Sequence, residues 1–334
     1  MVEILAESKK SLGTFDGVFT PSILTILGVI MYLKLGWVVG NVGLTKTLLI
    51  VTLATSITFL TGLSIAAIAT DHRVRTGGAY YMVSRSLGLE AGGAVGIPLF
   101  LAQALSVSLY IVGFAESLTA VIPQYTQGSV VLTTIVFVAG IALLSPKFAI
   151  RTQYLVMGVV VLSILSLFLG GKISPEVAGV SGTISDPVGF WDVFAVFFPA
   201  VTGITVGVNL SGNLKNPGKS IPLGTFLAIG VGYLVYMILP VLLALRASPD
   251  LLVTNPLVMM PMSVWGDAIL LGIWGGALSS AVGSILGAPR VLQALARDNV
   301  LPRSLHWLGK GHGQDDTPRI GTVVTLAFAG VAAY

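Results

Sequence analysis

Long apolar runs, repeated along the whole chain, constrain this sequence more than any single motif. Runs of about 20 residues, the length a helix needs to cross a bilayer, occupy about 17–40, 46–70, 89–122, 129–146, 152–171, 192–214, 221–246 and 262–297. A ninth starts near Pro318 and runs to Tyr334. In hydrocarbon the backbone must satisfy its own polar groups, so such runs fold as helices. Only 10% of the 334 residues are charged, against roughly 25% in soluble domains. The sequence therefore predicts an all-α polytopic membrane protein. The third and eighth runs exceed one span and are expected to tilt or to continue into a cytosolic turn.

The 18 Lys and Arg residues orient the runs. With the N-terminus inside, Lys34, Lys46, Lys172 and Arg246 fall outside and the other fourteen inside, as the positive-inside rule requires. The net charge of +4 thus reports topology and not a nucleic-acid surface. Residues 1–16 are expected to be a cytosolic segment without signal-peptide character. There are no cysteines, which excludes thiolate metal sites and cysteine nucleophiles. The three histidines lie outside the long runs, and no carboxylate pair, Ser-His-Asp order or Gly-x-Ser-x-Gly elbow supports hydrolase chemistry. Asp16, Glu116, Asp192 and Asp267 fall near run ends, so no proton relay is expected.

Two runs make poor helices. In the sixth, Pro199 removes a backbone donor, and Thr202, Gly203, Thr205 and Gly207 weaken the helix around it. In the first, Thr20, Pro21, Ser22, Thr25 and Gly28 crowd the first half. Irregular backbone at membrane depth survives only where protein buries it or a cavity needs it. Five spans separate the two breaks, so they run in opposite directions. Interrupted helices at matching positions point to an inverted repeat with a midplane site. The connection after the second run carries Gly77–Gly78, read as a tight, close-packed turn rather than a phosphate loop, because no Gly-Lys-Ser follows. Asn209-Leu210-Ser211 forms a glycosylation sequon, but at an inner membrane end.

Several stretches resemble the cation–chloride cotransporters. They are Gly28-Val29-Ile30-Met31-Tyr32-Leu33-Lys34-Leu35-Gly36-Trp37-Val38-Val39-Gly40; Thr76-Gly77-Gly78-Ala79-Tyr80-Tyr81 with Ser84–Gly88, similar to the start of that family's third span; and Tyr110-Ile111-Val112-Gly113-Phe114-Ala115-Glu116. Phe197-Phe198-Pro199-Ala200-Val201-Thr202-Gly203-Ile204 resembles its sixth span and Leu278-Ser279-Ser280-Ala281 its eighth. The resemblance covers nearly the whole chain in order. It implies a LeuT-type fold of the amino acid–polyamine–organocation superfamily: two inverted five-helix repeats with helices 1 and 6 broken. Here it is incomplete, with about eight to nine spans, a first repeat over about 17–171 and a partial second over about 192–334. The tenth core helix and a cytosolic C-terminal domain would lie beyond Tyr334.

The same resemblance implies a set of ion ligands. A potassium ion would be held by Tyr110, Thr202 and the carbonyls of Thr25, Ile26 and Pro199; the family often has Asn where Thr25 stands. Neutral oxygens of this kind replace a hydration shell. Chloride would sit on Gly28, Val29 and Ile30, and a second on Gly203, Ile204 and Thr205, at half-helix N-termini. In the family a tenth-span tyrosine closes the second anion site. Sodium would take Ser279, Ser280 and the carbonyls of Gly276, Leu24 and Leu27; the sodium-dependent branch keeps the serine pair.

The expected function is secondary active symport of chloride with sodium, potassium or both, without cofactor or enzymatic activity. The expected setting is the plasma membrane, with inorganic ions and lipid as partners, no nucleic acid, and a homodimer left open. Two alternatives remain at this stage. One is an amino-acid permease of the same superfamily, against which stands the lack of a Gly-x-Gly stretch in Thr25-Ile26-Leu27-Gly28. The other is a non-transporting membrane subunit or inactive fragment.

Overall fold

The computed structural model describes residues 12–71, 77–144, 146–173, 188–313 and 316–334. Lys9, Lys10, Arg73 and Arg75, most of the 1–16 segment and the turn 72–76 lie outside the described residues. Among the described residues, seven helices are long and apolar enough to cross a membrane. Two shorter apolar helices, Gln127–Leu143 and Arg319–Ala333, stand where the fourth and ninth runs were read.

The first span opens with a π turn, Phe15–Phe19, followed by α1 (Thr20–Ile26) and α2 (Val29–Leu33), which leads into α3 (Leu35–Asp71). Inside α3, Gly43 takes φ 73° and ψ 171°, a conformation open to glycine at no steric cost. This kink falls in the 40–46 gap between the first two runs and divides the first span from the second. A short helix, α4 (Gly78–Leu87), precedes α5 (Leu89–Val121), α6 (Gln127–Leu144) and α7 (Pro146–Leu169). Gly88, at φ 91°, separates α4 from α5, so the motif Ser84–Gly88 closes a helix of its own instead of opening the third span. The sixth span is α8 (Phe190–Phe197), a 3₁₀ turn Phe198–Val201 and α9 (Ile204–Asn209). Then come α10 (Pro217–Arg246), the short α11 (Pro249–Thr254) and α12 (Met259–Met262), α13 (Gly266–Arg297) and α14 (Arg319–Ala333).

The packing repeats with a step of five spans. The N-terminal half of the first span, α1, packs on α9 of the sixth; the second-span part of α3 packs along α10 of the seventh; α5 packs along α13; and α6 packs on α14. Pairs 1·6, 2·7, 3·8 and 4·9 are the contacts that an inverted repeat generates. The ends agree: Leu12, just before the first span, bridges to Leu214, just after the sixth, and the Lys215 N–H donates to the Leu12 carbonyl at 3.0 Å.

Small residues bring these helices together. A Cβ added at Gly224 would stand 2.6 Å from Val18 Cβ, and one at Gly207 would stand 2.7 Å from both Ser22 Oγ and the Val18 carbonyl. At the C-terminal end of the first span α11 lies over it, where a Cβ on Gly40 would meet the Pro249 carbonyl at 2.8 Å. Arg246 donates to the carbonyls of Leu167 and Phe168, capping the C-terminus of α7. Just past α13, Asp298 accepts from the Tyr80 hydroxyl and from Arg85, both at 2.9 Å, which fastens α4 to the end of the eighth span.

Candidate functional site

The first break follows from counting backbone hydrogen bonds. The Leu27 N–H still donates to the Ile23 carbonyl at 2.8 Å, and the helix resumes with Met31 N–H to the Gly28 carbonyl at 3.1 Å. Gly28 between them is extended, at φ −95° and ψ −152°. Among the described residues, the N–H groups of Gly28, Val29 and Ile30 have no backbone acceptor, and the carbonyls of Leu24, Thr25, Ile26 and Leu27 have no backbone donor. One break thus exposes three donors and four acceptors, which buried backbone must satisfy by some other means.

The second break repeats the pattern. Thr202 N–H donates to the Pro199 carbonyl at 3.3 Å and Val206 N–H to the Gly203 carbonyl at 3.3 Å, which leaves the Gly203, Ile204 and Thr205 N–H groups without backbone acceptors among the described residues. The two breaks touch. A Cβ at Gly203 would stand 2.7 Å from Thr25 Cβ and 3.1 Å from the Ile26 nitrogen. Ser22 adds a hydrogen bond to the Ile204 carbonyl at 3.4 Å.

Side chains complete the arrangement unevenly. Thr202 is exposed, and its hydroxyl donates to the Pro199 carbonyl at 2.9 Å. With the Thr202 N–H this fills both lone pairs of that carbonyl, so a cation there takes the place of the hydroxyl's donated bond. Thr25 turns its hydroxyl back to the Pro21 carbonyl at 2.9 Å, so its own free carbonyl is the ligand it offers. Tyr110 is buried on α5, three residues before Gly113, where an added Cβ would meet Val29 Cγ1 at 2.4 Å. Residues i and i+3 share a helix face, so Tyr110 lies on the face that meets the C-terminal half of the first span. Ser280 is buried, and its hydroxyl lies 3.5 Å from the Leu24 carbonyl. A Cβ at Gly276 would stand 3.6 Å from Gly28 Cα and 3.8 Å from the Leu27 carbonyl. The structure therefore groups Leu24, Leu27, Gly28, Gly276 and Ser280; Ser279 is half-buried beside them.

One neighbour escaped the sequence reading. Tyr236, fully buried on α10, donates its hydroxyl to the Ile26 carbonyl at 2.6 Å. A tyrosine inside an apolar run reads as packing, and no local spacing marks it otherwise. A cavity of about 10 Å³, enough for one water, adjoins the same carbonyl's residue and is lined by Ile26, Thr55, Thr58, Val201, Ile229, Gly232 and Tyr233. Thr55 presents a buried hydroxyl without a partner there.

Among the described residues, the carboxylates of the spans sit near the helix ends. Glu116 pairs with Lys34 at 3.9 Å with both side chains substantially exposed, and Asp16 accepts from the Tyr154 hydroxyl. Asp192 and Asp267 are exposed in the first turns of α8 and α13, where the helix dipole favours them. Among the described residues no group of three or more His, Asp or Glu side chains could hold a metal ion. Neutral carbonyls and hydroxyls suit alkali cations, and uncharged N–H groups suit a halide or a carboxylate.

Comparison with known proteins gives the family and the fold. The amino acid permease family matches residues 17–333. Solute carrier family 12 member 8 from Mus musculus is 34% identical over 336 residues, covering 95% of this chain and 48% of the relative. Solute carrier family 12 member 1 from Mus musculus is 32% identical over 381 residues, covering 95% of this chain and 34% of the relative. The chain thus spans about half the length, or less, of the curated relatives it matches. Among solved structures, a Na+-coupled sialic acid symporter in a substrate-bound, outward-open state superposes with a TM-score of 0.65 at 12% identity, over 99% of this chain and 76% of that one.

Proposed function

The chain belongs to the amino acid permease family, whose members are membrane transporters and not enzymes, and on that premise we propose that it is a secondary active symporter coupling chloride to sodium, potassium or both. The fold is the LeuT type and the protein is multi-pass. The observation that carries the reading is the pair of touching breaks, which among the described residues puts carbonyls and N–H groups without backbone partners side by side. Its relatives in solute carrier family 12 and the resemblance of its motifs to cation–chloride cotransporters support the choice of ions.

In this reading Thr25, Ile26, Tyr110, Pro199 and Thr202 hold potassium. Leu24, Leu27, Gly276, Ser279 and Ser280 hold sodium. Chloride occupies Gly28, Val29 and Ile30, and a second chloride Gly203, Ile204 and Thr205. Bound cations and anions neutralise one another, and the filled site permits the first, second, sixth and seventh spans to rock against the rest. The protein lies in the plasma membrane with its N-terminus inside.

The family's name raises an amino acid as a second substrate class, since the free N–H groups of either break could also hold a carboxylate. The contact of Gly203 with Thr25 argues for smaller cargo, because it leaves no gap between the breaks at that point. Ion-replacement uptake by the full-length protein in liposomes separates the two. Chloride-dependent rubidium or sodium uptake is expected; amino-acid uptake indifferent to chloride would overturn the reading. Ser280→Ala is expected to raise the sodium KM several-fold and leave the chloride KM unchanged at saturating cation. Unaltered sodium dependence would remove the sodium set.

A further inference from the structure

Nothing in the sequence draws attention to Tyr236, yet it reaches both breaks. Its hydroxyl donates to the Ile26 carbonyl at 2.6 Å, one of the four carbonyls that lost a helical donor. Its ring stands edge-on to Phe197, with centroids 5.2 Å apart and planes at 87°. Phe197 is the last residue of α8, directly before the 3₁₀ turn that contains Pro199. Both aromatic residues are completely buried. One turn earlier on the same helix, an added Cβ at Gly232 would stand 2.7 Å from Ile26 Cγ2. The seventh span therefore grips Ile26 twice, by its side chain at Gly232 and by its carbonyl at Tyr236.

We infer that Tyr236 is a positioning residue that sets cation affinity by fixing the direction of the Ile26 carbonyl. This rests on the ion-symport reading above. An unwound carbonyl with no donor is free to swing, and each orientation it samples weakens a cation site that needs several oxygens at once. A carbonyl has two lone pairs. The Tyr236 hydroxyl occupies one and holds the group still, which leaves the second for the ion. Since the ring also rests on Phe197, a change at Tyr236 is felt by the Pro199 carbonyl as well.

The test uses the full-length protein in liposomes, with rubidium and sodium as cation probes. Tyr236→Phe deletes only the oxygen and keeps the ring against Phe197. It should raise the KM for rubidium or sodium by about three- to tenfold, the equilibrium factor of one net hydrogen bond. Maximal rate and the chloride KM at saturating cation should stay within about twofold of wild type. The control is Tyr32→Phe, which deletes another buried hydroxyl, one paired with the Ser163 hydroxyl at 2.6 Å and not with a backbone carbonyl of a break. It should leave the cation KM unchanged. An unchanged cation KM in Tyr236→Phe, or an equal shift in Tyr32→Phe, overturns the inference while the symport reading stands. Absence of saturable cation-dependent uptake in the wild type would instead remove the symport reading and the inference with it.

Discussion

Replacing Gly203 by alanine tests whether the two breaks work as one site. The new Cβ would lie 2.7 Å from Thr25 Cβ, 2.8 Å from Thr25 Cγ2 and 3.1 Å from the Ile26 nitrogen. Carbon atoms settle at about 3.5–4.0 Å, so the sixth span must move away from the first by about 1 Å. Two of the three obstacles are the β-branched side chain of a buried residue and the third is backbone, so nothing flexible can yield. Overpacking of this kind costs about 1–3 kcal/mol, a factor of about 5 to 150 in an equilibrium constant. If cation and anion are both held where the breaks meet, that cost falls on the occupied state. Apparent KM values for cation and chloride should therefore rise together, by at least about fivefold. The assay is rubidium and chloride uptake by full-length protein in liposomes. Gly158→Ala serves as the comparison, since an added Cβ there meets nothing within 4 Å. Folded Gly203→Ala protein with wild-type KM for both ions would refute the reasoning.

Contacts at the ends of the spans offer two more tests. Gly78 has φ +57°, and an added Cβ would sit 2.2 Å from Asn209 Oδ1 and 3.0 Å from Asn209 Cα; Gly78→Ala should lower the melting temperature in detergent, with a cost of about 2 kcal/mol or more from strain and overlap together, and an unchanged melting curve would contradict the described contact. The hydrogen bond from Arg297 holds the Asp316 carboxyl below its ordinary range. A depressed folded value means that this pair stabilises the fold fully above about pH 4 and loses its contribution as pH falls through the lowered value. Both side chains are about half exposed, so Asp316→Asn should cost less than about 1 kcal/mol at neutral pH and flatten the acid limb of the melting curve.

Different features of the molecule were legible to different degrees. The nine apolar runs could be read because spanning a bilayer is a matter of composition and length, and helices stand at each of them. The sixth-span break could be placed because Pro199 and Gly203 are local obstacles to a helix. The first break was harder to place. Pro21 lies near the start of α1, where it is tolerated, and the chain opens at Leu27–Gly28, where only one glycine marks it. Helix α4 escaped because ten amphipathic residues next to an apolar run look like that run's beginning; the positive φ of Gly88 separates them. The short α11 is held by packing on the part of α3 that ends the first span, and α12 by packing on α13 and α7, which no local pattern announces. Tyr236 could not be found at all from sequence, because its partner is a backbone oxygen 210 residues away.

Co-occupancy of facing breaks is the central claim, and thermodynamic reciprocity tests it most directly. In full-length protein, the equilibrium Kd for rubidium or sodium is measured with and without chloride, and the Kd for chloride with and without the cation. Linkage requires the two shifts to be equal. The account predicts that each ion tightens the other by the same factor, about fivefold or more. A chloride Kd that ignores the cation would contradict it.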